Sequence, residues 1–401
     1  MTFSPRCITI NSRPTSYGPV IHRAGWVVVD PWTILPNGFV KVESGLIKET
    51  GQGRDYGFGR IIDHGSGVLL SALVNAHTHL ELSALKGKIP FEKGFGVWVK
   101  ELIKQRESLG INALAMGAKE GIKSLIESGC LVAGEISTLG LTREMFFNSE
   151  LAGVWFREFL ENTPNGHRYW LDKNEKIIAS LAGHAPHTTS PQLLVELKGA
   201  ARKHNLPFSI HLAELEAEVR FLKTAKGPWA DFLTERGIDF SGWGLPAPSP
   251  VKYLERHGIL DENTLAVHLI HVDKKDIEIL LRHQVQVCLS PRSNQNLHHR
   301  LPDMDGMLKA GLKPCLGTDS LASADSLSIF DEMAFTSRAF PLVPPEEILA
   351  MATINGAKAL GFGDRFGSLA PGKSGAFIYM PVKVSTSSGL LETVVNARFD
   401  K

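Results

Sequence analysis

Residues Leu69-Leu-Ser-Ala-Leu-Val-Asn-Ala-His77-Thr-His79-Leu-Glu81-Leu-Ser83 decide how the rest of the chain is read. Leu69 to Val74 is an apolar run preceded by Gly65 and Gly67, which predicts a short buried strand. It leads into His77-Thr-His79. In extended chain, side chains at i and i+2 point to the same side, so both imidazoles face one space. Two imidazoles held together suit a divalent transition metal. A chain of 401 residues with 15 histidines also produces a His-x-His pair by chance. Two satisfied polar residues would leave the same trace, and the remainder of the chain decides between them.

That length allows one large core plus a smaller unit. The 43 basic and 42 acidic residues balance, and no basic run stands out. This argues against a nucleic-acid or anionic-membrane surface. Met1-Thr-Phe-Ser-Pro-Arg-Cys-Ile8 lacks the apolar core of a signal peptide, and no apolar run approaches the ~20 residues of a spanning helix. Cys7, Cys130, Cys288 and Cys315 are scattered, as reduced thiols of a cytoplasmic protein would be.

Residues 1–68 read as β-rich, with strands at Trp26-Val-Val-Val-Asp30 and Phe39-Val-Lys-Val-Glu43 and a hairpin continuing at Gly45-Leu-Ile-Lys-Glu49. From Leu69 short apolar runs alternate with helical patterns. Strands are predicted at 69–74, 129–135, 151–156, 178–184, 207–213, 264–269, 285–289 and 312–319. Helices are expected at 95–109, 112–128, 325–339 and 346–360, and one opens at Ser190-Pro191, where Ser190 is an N-cap and Pro191 the first helical residue. Eight βα units closing on themselves make an α/β fold of the (β/α)₈ barrel type. A small β-sandwich built from 1–68 and 365–401 accompanies a barrel at 69–364, because the strand-like tail at Gly367–Met380 returns to the first sheet. About 50 residues separate the fifth and sixth strands, too many for a plain connection, and 215–250 is expected to be a lid over the pocket.

This order gives the polar residues a common address. His77, His79, His184, His211, His268 and Asp319 all fall at strand C-terminal ends, the face where such barrels place their chemistry. Glu214 follows His211 by three residues. A ligand imidazole with a nearby free carboxylate is what metal-assisted hydrolysis needs, one group holding the ion and the other moving protons. Imidazoles and one carboxylate on one face make a metal-binding set that a water completes. Glu135, at the second strand's end, fits a buried hydrogen-bonding role as well as substrate contact. His271 reads as structural. His298-His299 read as a solvated loop beside Arg300.

Leu73-Val-Asn-Ala-His-Thr-His-Leu-Glu-Leu-Ser83, His211-Leu-Ala-Glu214, Ala266-Val-His-Leu-Ile-His271, Ser290-Pro-Arg-Ser-Asn294 and Leu316-Gly-Thr-Asp-Ser320 resemble, in that order, the motifs of the amidohydrolase superfamily. Ala352-Thr-Ile-Asn-Gly-Ala-Lys-Ala-Leu-Gly361 and Gly367-Ser-Leu-Ala-Pro-Gly-Lys373 resemble its closing segments. The resemblance is closest to the cytosine deaminase and S-adenosylhomocysteine deaminase branch, which includes aminodeoxyfutalosine and methylthioadenosine deaminases and triazine chlorohydrolases. It implies one divalent ion per chain, zinc or iron, on His77, His79, His211 and Asp319. It implies Glu214, His268 and Asp319 as catalytic groups, and His184, Arg292, Glu81 and Trp98 as substrate contacts, although Arg292 could equally pair with a carboxylate at the rim. Binuclear members carry a bridging lysine on the fourth strand; none lies in Leu181–His187. Three positions depart from the pattern: Ser71-Ala72 for Pro-Gly, Leu289-Ser290 for His-Cys, and His187 for Tyr. The implied activity is hydrolytic deamination of an adenine-type nucleoside. A guanine-, cytosine- or triazine-type hydrolase with the same site stays open, as does a non-catalytic relative. The expected partner is a small molecule, with neither nucleic acid nor membrane, and a homodimer is left open.

Overall fold

The computed structural model describes residues 2–3, 6–9, 18–53, 57–91, 94–161, 169–382, 384 and 386–399. Eight parallel strands follow one another in chain order: Leu73–Thr78, Cys130–Ser137, Ala152–Phe159, Ile177–Gly183, Phe208–Leu212, Thr264–His268, Gln286–Leu289 and Cys315–Leu316. Helices between them form the outer layer, as βα alternation requires. Val74, Val132, Val154, Leu181, Ile210, Ala266 and Val287 on these strands are all at most 3% exposed.

The barrel closes through a seam between its first and last strands. Thr78 bridges Asp319 in parallel. The amides of Thr318 and Asp319 donate to the His77 carbonyl at 3.0 and 3.1 Å, and His79 N donates to the Asp319 carbonyl at 3.0 Å. Asn75 pins this seam from inside: its Nδ2 donates to Thr318 Oγ1 at 2.7 Å, and its Oδ1 accepts from Thr318 N at 3.1 Å.

The strand expected at 69–74 is two strands. Val68–Ser71 belongs to a small sheet, and Leu73–Thr78 opens the barrel. The hand-over is at Ala72, whose amide donates to Ala376 O while Leu73 N donates to Gly129 O. The expected boundary at 68/69 therefore moves to Ala72. The eighth strand is shorter than expected, because Pro314 has no N–H to give to a ladder. The helical residues Phe95–Glu127 break at Gly110 (φ 73°), as two separate expected helices require. The helix expected at 325–339 begins only at Ile329, and that expected at 346–360 is two, Pro345–Met351 and Ile354–Ala359.

Two sheets make the accompanying sandwich. One runs Arg6–Thr9, Ala376–Met380, Val68–Ser71, Trp26–Asp30, Thr33–Pro36, and the other Leu46–Gln52, Gly38–Glu43, Val20–Arg23, Arg60–Asp63. Val27, Val40, Val42, Ile47, Leu69 and Phe377 fill the space between them. Strands from both ends of the chain enter these sheets, and the helix Ser387–Val395 packs on the barrel helices Pro345–Met351 and Ile329–Ala339. Of the expected 1–68 unit, residues 1, 4–5, 10–17 and 54–56 lie outside the described residues, as do 162–168 of the barrel. The segment after the fifth strand folds as Glu216–Thr224, Pro228–Glu235 and Pro250–Arg256, with Phe221, Phe240 and Trp243 packed edge to face among them. Among the described residues no helix is long and apolar enough to cross a membrane.

Candidate metal centre and active site

The seam that closes the barrel also builds its site. His77 is the penultimate residue of the first strand, and His79 follows the strand directly. Asp319 follows the last strand, and the Thr78–Asp319 bridge locks the three together. His79 Nε2 lies 3.3 Å from His211 Nε2 and 3.6 Å from Asp319 Oδ1, and His77 Nε2 lies 3.9 Å from the same oxygen. Two ligand atoms at ~2.1 Å from one ion at a tetrahedral angle stand ~3.4 Å apart. The spacing fits a single ion. Both ring nitrogens of His77 are buried without any hydrogen-bond partner, and a bound cation would satisfy one of them.

The remaining atoms of these ligands are spoken for, which fixes what each presents. His211 Nδ1 donates to the His184 carbonyl at 2.8 Å, leaving Nε2 for the centre. Asp319 Oδ2 accepts from Ser293 Oγ at 2.5 Å and Ser323 Oγ at 2.9 Å, leaving Oδ1. Burial, with the neighbouring imidazoles adding to it, drives the His77 pKa well down, and burial lowers His79 as well. Neutral imidazole is the form that binds metal. His268 (φ 78°) and Asp319 (φ 58°) adopt left-handed backbone, as does Ala213 (φ 52°) between His211 and Glu214. Such positions cost ~1–3 kcal/mol each and concentrate at functional sites.

Glu214 stands beside the centre. Its Oε1 is 3.7 Å from His268 Nε2, and His268 Nδ1 is tied to Asn294 Oδ1 at 2.8 Å. Burial raises the Glu214 pKa, but His268, the His298 hydrogen bond and His211 outweigh it and hold the carboxyl well below the usual range. Its backbone is clamped by Glu218, whose carboxylate accepts from Ala213 N and Glu214 N at 2.9 Å. Burial pushes the Glu218 acid up to about 8 against those same hydrogen bonds.

The other sequence-derived residues divide. His184 joins the cluster, its ring 5.0 Å from that of His211 and its Nδ1 on Thr188 Oγ1 at 2.7 Å. Arg292 has taken the carboxylate-pairing course. Its Nε bonds Glu332 Oε2 at 2.7 Å, and its other nitrogens reach Asp325 Oδ1 at 3.0 Å and the Ser326 carbonyl. Glu81 is 3% exposed and accepts from Ser137 Oγ, Leu139 N and Leu141 N, so it holds the loop after the second strand. Trp98 is buried, with Nε1 donating to the Ala322 carbonyl at 3.1 Å. Glu135 is fully buried and accepts from Leu80 N at 2.9 Å, the hydrogen-bonding half of its expectation.

Two residues of the site escaped sequence reasoning. His298, expected in a solvated loop with His299, ends the helix Pro291–His298 and places Nε2 3.0 Å from Glu214 Oε1; only His299 is solvent-exposed. The signal existed, since Ser290-Pro291 repeats the Ser190-Pro191 helix start. Glu158 is the penultimate residue of the third strand, which runs to Phe159, three residues beyond its expected end at Phe156. It is 2% exposed, accepts from Thr138 Oγ1 at 2.7 Å, and sits with His184 and His211 in a group of mutually close ligand atoms. Alternation from Phe156 would have placed it on the inner face.

A model of the amidohydrolase family matches residues 68–398. The 5′-deoxyadenosine deaminase of Methanothrix thermoacetophila is 29% identical over 356 residues, 84% of this chain and 81% of that one. The 5-methylthioadenosine/S-adenosylhomocysteine deaminase of Thermoanaerobacter pseudethanolicus is 29% identical over 375 residues, 87% of this chain and 81% of that one. Among solved structures, Helicobacter pylori aminofutalosine deaminase in complex with methylthio-coformycin superposes with a TM-score of 0.83 at 23% identity, covering 94% of this chain and 96% of that one. An adenosine deaminase from Xanthomonas campestris with bound zinc has a TM-score of 0.77 at 22% identity, covering 94% and 88%. At these identities the structural likeness is one of fold.

Proposed function

This chain belongs to the amidohydrolase family, and on that premise we propose that it hydrolyses the exocyclic amino group of an adenine-type nucleoside, releasing ammonia. The observation that carries the reading is Glu214, an ionised carboxylate held beside the His77–His79–His211–Asp319 cradle without being part of it. The relatives named as 5′-deoxyadenosine and methylthioadenosine deaminases support the ring. They also point to nucleosides altered at the 5′ position.

His77, His79, His211 and Asp319 would hold one divalent ion, zinc in this proposal. Such an ion brings the pKa of a water down to about 7 and so supplies a nucleophile at neutral pH. Water oxygen adds to the ring carbon bearing the amino group. Glu214, ionised at the outset, takes the first proton of that water and gives it to the adjacent ring nitrogen, so charge does not build on the ring. His268, oriented by Asn294, steadies the attacking oxygen. Asp319 and His268 receive the water's second proton and pass it to the leaving nitrogen. The carbon–nitrogen bond breaks, a ring carbonyl forms, and ammonia departs. His184, at the mouth of the fourth strand, would contact the base.

The test is ammonia release by metal-loaded protein over adenosine, 5′-deoxyadenosine, methylthioadenosine, S-adenosylhomocysteine, aminodeoxyfutalosine, guanine, cytosine and an aminotriazine. Turnover of an adenine nucleoside supports the reading. Turnover confined to guanine, cytosine or the triazine replaces the ring and keeps the site.

A further inference from the structure

The helix Pro291–His298 presents two polar side chains one turn apart on the same face, Asn294 and His298. Asn294 holds His268. His298 reaches the neighbouring group: its Nε2 is 3.0 Å from Glu214 Oε1, with the His298 side chain 8% exposed. Glu214 is ionised and has no proton to give, so Nε2–H of His298 is the donor. His268 Nε2 faces the same oxygen at 3.7 Å. Oε1 is thus taken from two sides, and among the described residues no hydrogen bond occupies Oε2. The far side of the His298 ring rests on Phe95, at 5.1 Å between centroids, and Phe95 in turn stacks on Trp98 at 5.6 Å. Trp98 is itself tied to the Ala322 carbonyl.

We propose that His298 is a positioning residue for Glu214, gripping Oε1 so that Oε2 is the oxygen turned to the substrate's ring nitrogen. Phe95 and Trp98 form the wall that keeps the His298 ring in place. The inference rests on Glu214 carrying the proton in the reaction proposed above. A carboxylate on a single bond at its stem swings; one fixed through an outer oxygen offers the other in a single direction, which is where a proton carrier gains its rate. The bond also favours the ionised form of Glu214.

The experiment compares the unmodified protein with His298→Phe, which keeps a ring against Phe95 but has no donor, and His298→Gln, which restores an N–H at a similar reach. Metal content and melting temperature are measured alongside kcat, KM and the pH–rate profile. Affinities are taken for the deaminated product and for an analogue with a hydroxyl on a tetrahedral carbon at the reacting position. In His298→Phe, at unchanged metal content, kcat should fall about tenfold or more, the effect of one charge-assisted hydrogen bond, with KM moving less than about threefold. The acidic limb of the profile should shift to higher pH. Analogue affinity should fall with kcat while product affinity holds, since the grip matters where the proton moves. His298→Gln should recover most of the loss. Wild-type kcat and pH profile in His298→Phe would overturn the positioning role and leave the deaminase reading intact. Equal losses in the Phe and Gln variants, with no shift of the profile, would reduce His298 to packing. No ammonia from any nucleoside with the unmodified protein would overturn both.

Discussion

Gly317 marks how little room the metal cradle has. A Cβ built there would meet His77 Cβ and the His77 carbonyl, each at 2.8 Å, and Cys288 Sγ at 2.9 Å. His77 is fully buried and cannot step aside. Gly317→Ala should therefore displace the ligand it touches: bound metal per chain should drop well below one, and overpacking should remove about 1–3 kcal/mol of stability. Metal analysis with thermal melting checks both. The residues proposed as ligands could be singled out because each stands at a strand end, a position that sequence can mark. Glu158 and His298 were not singled out. One lies beyond the apolar part of its strand, and the other is in a helix whose polar face looks like loop. What a side chain touches across the pocket, such as His298 with Glu214 or Arg292 with Glu332, leaves no trace in spacing.

At the scale of elements, the seam between the first and last strands carries both the barrel's closure and its chemistry. Asn75 and Thr318 are fully buried, and their two mutual hydrogen bonds have no solvent to fall back on. Asn75→Leu should leave Thr318 Oγ1 unpaired at about 1–3 kcal/mol, while the Thr318 amide keeps its bond to the His77 carbonyl. It should also weaken metal retention, because His77 and Asp319 are held across the same seam; Asn75→Asp would not serve as rescue, since it buries a charge. In the sandwich, His22 from the strand Val20–Arg23 is 2% exposed and meets His64 at 3.0 Å and the Phe377 ring at 4.9 Å. Burial lowers its pKa to about 4, with His64 and Arg60 adding to the effect. Unfolded, it titrates near 6.5, so below that pH the unfolded chain takes up the proton first. Stability present above about 6.5 is lost as pH falls toward 4, by on the order of 3 kcal/mol at the limit. Melting curves from pH 7.5 to 4.5 should show a smaller fall for His22→Leu than for the unmodified protein. The strands were readable from apolar runs and the helix starts from Ser-Pro pairs. The division of 68–78 into two strands was not, because both halves are equally apolar and only their different partners, Met380 to Phe377 on one side and Cys130 to Glu135 on the other, tell them apart.

For the whole molecule, the return of the chain's tail to its first sheet was visible in Ala376–Met380, and the onward path of Ser387–Val395 to the barrel helices was not, since an apolar helix does not name its neighbour. The proposed metal centre joins the first strand of the barrel to the fifth and the last. An ion bound there stabilises by mass action, about 2.7 kcal/mol at a hundred times its dissociation constant. Chelation should accordingly lower the melting temperature and abolish turnover together, and readdition of zinc should restore both. Loss of activity with an unmoved melting curve would mean that the ion is held elsewhere.

The most direct test of the central claim is ammonia release from the preferred adenine nucleoside by the unmodified protein and by Glu214→Gln at matched metal content. The account predicts turnover by the first and a rate at least ~10²-fold lower in the second, with metal retained. Equal rates in the two proteins would contradict it, because the proton would then be moving through some other group.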